Sequence, residues 1–164
     1  MTQQEYENKI KELQDELEQL KAAKIEVEQP KRWKPNTVGV YWLIKNSGDV
    51  GAVTWDNGTY DEWCYLIGNC FKTEEEAEEY KKQIEYTARY KNYIEDHSEP
   101  LDWDIGFQWK YYAIVNCITG EIDIDESNKW KRQGAIYASS KEIIKAAIKE
   151  IGEDNFKKYV LGVK

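Results

Sequence analysis

Six large apolar residues in the first thirty positions fall on one narrow stripe. Tyr6, Ile10, Leu13, Leu17, Leu20 and Val27 recur at alternating spacings of four and three, with Lys24 as a polar residue on the same seam. This is a heptad repeat, with a positions at 3, 10, 17 and 24 and d positions at 6, 13, 20 and 27. Nearly every other position is Glu, Gln or Lys, so a lone helix with this stripe is marginal in water and the pattern predicts pairing. In a parallel homodimer Glu16 at g meets Lys21 at e of the second helix, and Lys24 at an a position disfavours higher oligomers. Packing of the seam on the chain's own domain is the alternative. Pro30 and Pro35 end the helix and make the exit extended.

Further along, the period shortens to two. "VGVYWLI" (38–44) and "VGAVTW" (50–55) read as strands around the turn "KNSGD". "DNG" (56–58) is a second turn, with Gly58 expected at positive φ, and "TYDEWCYLIGNCF" reads as a third strand. A helix follows, with Thr73 as N-cap, Glu76 closing a capping box, and Glu74 and Glu75 favouring the positive end of the dipole. Its expected core stripe is Ala77, Tyr80, Ile84, Ala88, Lys91 and Ile94.

After "EDHSEP" the grammar repeats. "WKYYAIV" is a strand, "NCITGE" a turn, "IDID" a short strand, and "KWKRQGAIYA" leads into a helix capped by Ser139 with Glu142. Ile143, Ile144, Ala147, Ile148 and Ile151 make its stripe, Gly152 its C-terminal stop, and Asp154 to Leu161 a last short helix. "GNCFKTEEEA" (68–77) aligns with "GAIYASSKEI" (134–143) in glycine, aromatic, capping hydroxyl and Glu. The expected fold class is α+β: duplicated ββ(β)α units with two helices packed on antiparallel sheet, preceded by an N-terminal coiled-coil helix. The expected domains are a dimerisation helix (1–29), a linker (30–36), a first unit (37–97), a linker (98–106) and a second unit (107–164).

Composition sharpens this picture. The 164 residues carry a formal net charge of −8, and 13% of them are aromatic, including seven Trp and twelve Tyr. Tyr and Trp lead the residue types of interface hot spots, although a β-rich core also absorbs them. "MTQQEYENKI" has no basic, apolar leader pattern, and no apolar run approaches the ~20 residues of a membrane span. These features predict a reduced, soluble, cytoplasmic protein.

Candidate chemistry is sparse. The sequence has no phosphate loop and no nucleophile elbow. Cys64, Cys70 and Cys117 form no C-x-x-C pair, and His97, the one histidine, sits in a polar linker. Asp102 and Asp104 in "LDWD", and "DIDE" at 123–126, could hold a divalent cation, but charged turn and edge positions explain them more simply. No catalytic residue, metal or cofactor is expected, and the protein reads as a non-enzyme.

Two resemblances bear on function. The strands followed by G-N-x-F-x-T-x-E-E-A, over residues 40 to 85, resemble the DNA-binding domain of plant ethylene-response factors and its phage-integrase relatives. That resemblance implies a three-stranded sheet in the major groove with a helix behind it. Residues 40 to 66 carry one cation, Lys45, where such a sheet has several arginines. The run from "RWKP" through "YWLI", "GNCFKTEEEAE" and "LDWD" resembles a family of small proteins of unassigned role encoded by phages and prophages of Gram-positive bacteria. It implies a mobile-element accessory protein acting in a bacterial host cell.

Three readings follow. The first is a homodimeric inhibitor or adaptor that binds a host protein, a defence nuclease of the CRISPR or another type, whose basic channel the acidic helix face of Glu74, Glu75, Glu78 and Glu79 would occupy. In the second, nucleic acid is bound through Lys31, Arg32, Trp33 and Lys34 together with Lys129, Trp130, Lys131 and Arg132. These clusters hold six of the 23 cationic residues. A tryptophan anchored in the core with basic neighbours covering apolar surface is the simpler account of each cluster. The third is a minor virion or assembly component. The first reading ranks highest.

Overall fold

The computed structural model describes residues 3–22 and 32–163. The chain divides into two units, Met1–Trp33 and Lys34–Lys164. The first contains α1 (Gln3–Ala22), a helix on which Tyr6, Ile10 and Leu13 are exposed.

The second unit is mixed α+β. It runs β1 (Val40–Ile44), β2 (Val50–Thr54), α2 (Thr59–Ile67), α3 (Glu74–His97), β3 (Lys110–Val115), β4 (Ile122–Ser127), α4 (Lys141–Ile151), α5 (Glu153–Asn155) and a π-helical turn, Phe156–Val160. The strands make two separate antiparallel hairpins, β1–β2 and β3–β4. The sequence predicts a continuous helix over 154–161; the chain instead breaks it into α5 and the wider π turn.

Each hairpin has a third, rudimentary partner. Trp42 and Phe71 exchange both backbone hydrogen bonds at 2.9 Å, and Asn69 extends this edge by pairing its side-chain amide with both backbone groups of Ile44, each at 2.8 Å. Tyr111 and Ala138 make the corresponding exchange at 2.9 and 2.8 Å. The chain turns into a helix after each bridge, with the N-cap two residues on: Thr73 after Phe71 and Ser140 after Ala138.

That spacing corrects the expected cap of the second helix. Ser140, not Ser139, accepts the hydrogen bond from the Ile143 amide. Ser139 instead ties the preceding linker, its hydroxyl accepting from the Glu99 amide at 3.1 Å and its own amide donating to the Ser98 hydroxyl at 2.8 Å. At the first helix the capping box forms with a shift: Thr73 accepts from the Glu76 amide, and Glu76 reaches back to the Lys72 amide.

The segment expected as a third strand is the helix α2. Aromatic and β-branched content favours a strand only when packing agrees, and here packing at helical spacing wins. Asp61 and Cys64 point inward and are buried, with Tyr65 half-buried beside them. Gly58 has an ordinary φ of −69°; Asn57, at φ 62°, takes the left-handed turn, and its side chain accepts from the Trp55 indole at 2.7 Å.

Two cores result. Tyr41, Leu43, Trp55, Cys64 and Cys70 fill the first; Tyr90, Ile94, Ala138, Ile144, Ala147, Ile151 and Phe156 fill the second. Helix α3 packs on β1 and β2, and also on α4 and the π turn. Its buried face therefore shifts along its length, from Ala77 near the start to Tyr90 and Ile94 with half-buried Tyr86, Thr87 and Tyr93. Tyr80, Ile84, Ala88 and Lys91, expected in one stripe, are exposed because the two cores approach different sides of the helix. The expected stripe of α4 holds, with Ile144, Ala147 and Ile151 buried and Ile143 and Ile148 half-buried.

Asp61 is the polar keystone of the first core. Its carboxylate accepts from the Tyr41 hydroxyl at 2.9 Å and from the Asp56 amide at 2.7 Å. Burial opposes its ionisation, but these donors and the Gly58 amide outweigh it and hold the carboxyl below the ordinary aspartate range. The folded value lies below the unfolded one, so this stabilisation is complete above the ordinary range and is lost as pH falls through the depressed value. Asp61→Ala leaves two donors without an acceptor, an expected loss of about 3 kcal/mol in urea unfolding. A loss within the noise of a surface substitution contradicts this role.

Candidate interaction surface

The outer side of α2 is the most distinctive exposed surface. With Asp61 and Cys64 committed inward, helical geometry sends Tyr60, Trp63, Leu66 and Ile67 outward together. Trp63 is 53% and Leu66 74% exposed, and the Tyr60 and Trp63 rings lie 6.5 Å apart. Gly68, left-handed at φ 88°, closes the helix by donating to the Tyr65 carbonyl. The helix carries Asp61 and Glu62 in its first turn and no basic residue in its last. Sequence reasoning missed this face by assigning the segment period two; the helical recurrence of Asp61, Cys64 and Tyr65 against Tyr60, Trp63 and Ile67 was the available signal.

The acidic residues of α3 divide. Glu74 and Glu75 are exposed on its first turn, while Glu78 and Glu79 are half-buried. Glu79 is the hub of an ion network, 2.8 Å from Lys158 and 3.2 Å from Lys82, and it accepts from the Tyr159 hydroxyl at 3.4 Å. Glu75 and Glu79 also line an open groove of about 680 Å³ with Phe71, Tyr80, Tyr159 and Val163. The expected row of four carboxylates is thus two exposed charges, one half-buried charge and one carboxylate engaged by two lysines of its own chain.

At least three of the six cations in the basic clusters are engaged by carboxylates or rings of their own chain. Lys34 contacts Glu62 at 2.7 Å and lies 5.0 Å over the Trp55 ring. Lys131 sits 4.8 Å over Trp103, and Arg132 lies 3.9 Å from Asp125 and 5.4 Å over Tyr112. Such cation–ring contacts cover apolar faces with charged side chains. Trp130 departs from the expected core anchor and is 77% exposed, because Ser127 bonds its backbone and turns the loop outward. Lys129 is exposed; Arg32 and Trp33 are exposed within the first unit, and Lys31 lies outside the described residues. Of the expected dimer seam, Leu17 and Leu20 fall on α1, while Val27 lies outside the described residues.

The residues considered for catalysis or metal binding are not assembled. Cys64 and Cys70 are buried and Cys117 is exposed. His97 ends α3 with its Nδ1 2.9 Å from the Tyr93 carbonyl and its ring stacked on Tyr93 at 4.1 Å. Asp102 accepts from the Asp104 amide in a local turn. Asp123 accepts from Asn116, Asp125 from Tyr112, and Glu126 pairs with Lys141. Among the described residues no group of three or more His, Cys, Asp or Glu side chains converges in a way that could hold a metal ion, and no helix is long and apolar enough to cross a membrane.

No protein-family model, curated protein or solved structure matches this chain. The outer face of α2 offers aromatic and aliphatic contact area, with Asp61 committed to the core and Glu62 paired with Lys34.

The ion network gives a direct test. Lys158 first, then Lys82, hold the Glu79 carboxyl down at about 2, with burial opposing them and the Tyr159 hydroxyl assisting. A carboxylate NMR titration is expected to find the Glu79 midpoint well below the ordinary glutamate range, and Lys158→Ala to move it upward. A Glu79 midpoint in the ordinary range shows that the network does not persist in solution.

Proposed function

We propose that this chain is a non-enzymatic phage accessory protein that binds and inhibits a host protein, a defence nuclease, in the bacterial cytoplasm. The carrying observation is the outward face of α2. Tyr60, Trp63, Leu66 and Ile67 expose large apolar groups on one short, rigid helix, and Trp and Tyr anchors of this kind dominate binding energy when a partner desolvates them.

Charge supports the kind of partner. The net charge of −8, with Glu74, Glu75 and Glu78 on the first turns of α3, suits a surface built to hold phosphates. A nuclease channel offers such a surface, and opposite charge accelerates encounter. The basic clusters support nucleic-acid binding less well, since Lys34, Lys131 and Arg132 already cover rings of this chain. Trp33, Lys129 and Trp130 are exposed, which makes nucleic acid a defined outcome of the test.

We read the two hairpin–helix halves as copies of one unit, supported by the matched bridges Trp42–Phe71 and Tyr111–Ala138 and the N-cap two residues after each. We read α1 as a homodimerising coil, supported by its seam and by the exposure of Tyr6, Ile10 and Leu13.

Affinity capture from nuclease-treated bacterial lysate is expected to yield a stoichiometric partner. The partner is lost on the double change Trp63→Asp and Leu66→Asp, with the circular dichroism of the chain unchanged. Retention of the partner by that variant removes α2 from the interface. Nucleic acid that co-purifies without nuclease, and disappears in a Trp33→Ala, Trp130→Ala variant, moves the function to the basic clusters. Separately, Ile10→Lys with Leu17→Lys is expected to convert a dimer into a monomer by light scattering; an unchanged dimer refutes the coil.

A further inference from the structure

The hydrogen-bond alternation of the second hairpin leaves one side open. Asn116 donates to the Glu121 carbonyl at 2.9 Å, which sets the phase of the ladder. Antiparallel pairs alternate between bonded and non-bonded, so Ile114–Asp123 and Tyr112–Asp125 are bonded within the hairpin. Ile122, Ile124 and Glu126 therefore direct their backbone groups away from β3. The same phase turns Tyr111 outward on the opposite side, where Ala138 pairs with it. The outer side of β3 is thus met by a partner at Tyr111, whereas β4 has none among the described residues. The Glu126 amide is taken by the Asp125 carboxylate at 2.8 Å, which leaves the amides and carbonyls of Ile122 and Ile124 and the Glu126 carbonyl as a short template.

A groove runs beside this template. Helix α4 packs on β3, and between α4 and β4 lies an open space of about 530 Å³ lined by Ile122, Ile124, Ile148, Lys141 and Lys145, with Glu121, Asp123 and Glu153 at its rim. Its carboxylates are partly spoken for, Glu153 by Lys157 at 2.8 Å and Asp123 by Asn116 at 3.1 Å. Lys141 is held by Glu126 at 2.9 Å. Lys145, one helical turn further along the same wall, has no ion-pair partner among the described residues.

We propose that the open edge of β4 takes up an extended partner peptide as a third strand, its apolar side chains on Ile122, Ile124 and Ile148 and an acidic side chain on Lys145. An added strand satisfies the free amides and carbonyls, and side chains of alternate residues then point to one face, into the groove. Three isoleucines and one cation without an ion-pair partner among the described residues set the preference: β-branched residues alternating along the peptide, with one Asp or Glu. The face of α2 is not part of this groove, so the inference adds a second binding site to the proposed function.

Selection of displayed random nonapeptides against the full chain tests it. Enriched peptides are expected to alternate apolar residues and carry an acid. Synthetic copies should shift the Ile122 and Ile124 amide resonances and slow their hydrogen exchange. Affinity should fall at least tenfold with Lys145→Glu and when alternate peptide amides are N-methylated, and should be unchanged by the Trp63→Asp, Leu66→Asp double change. No enrichment overturns the proposal. So does binding indifferent to N-methylation, or binding that shifts Val50 and Ala52 on the β2 edge instead. Failure of the groove leaves the α2 face as a separate question, decided by lysate capture.

Discussion

A two-stranded hairpin buries too little surface to stand alone in water, so both hairpins of this protein depend on the helix between them. Helix α3 packs on both strands of the first hairpin and meets the second core at Tyr90 and Ile94, and its buried side rotates along its length from Ala77 onward. Residues that a single-face helix would bury, Tyr80 and Ile84, are left on the surface for the same reason. The Phe71 and Ala138 bridges complete the arrangement by pinning the chain to each hairpin just before a helix begins.

Polar groups are placed to make this small core specific. Asp61 brings the N-terminal turn of α2 onto Tyr41 of β1, which decides which side of α2 faces inward. Burial and the neighbouring carboxylate together hold the Tyr41 hydroxyl protonated far above neutrality, so it remains the donor in that contact. In the second half, buried Lys110 lies 4.9 Å over the Trp103 ring and donates to the Ile105 carbonyl at 3.4 Å, tying the linker before β3 to the strand. Lys131 lies over the same ring. Aromatic residues here absorb cations as much as they fill space, so positive residues in sequence need not mean positive surface.

These choices leave the chain with surfaces of different kinds. The outer face of α2 is aromatic and aliphatic, the first turns of α3 are acidic, and the outer side of β4 is a backbone edge beside an apolar groove. Each results from an element whose other side is fully committed: α2 by Asp61 and Cys64, α3 by its two cores, β4 by its pairing with β3. Binding energy, encounter rate and backbone recognition are separable physical tasks, and the surfaces suited to each lie on separate elements here.

Much of the local structure was legible in sequence. Period two and the turn residues located all four strands, the T-x-x-E pattern located the start of α3, and the isoleucine stripe located the buried side of α4, because these signals act over a few residues. Tertiary structure decided the rest. The aromatic segment after "DNG" is equally compatible with strand and helix, and burial of Asp61 against Tyr41 selected the helix. The second N-cap moved from Ser139 to Ser140 because the Ala138 bridge sets where the strand pairing ends. The basic clusters lost much of their free charge to rings distant in sequence, Lys34 to Trp55 and Lys131 to Trp103. Local hydrogen bonds and periodicity can be read from neighbours along the chain; which face is covered depends on partners that only folding brings together.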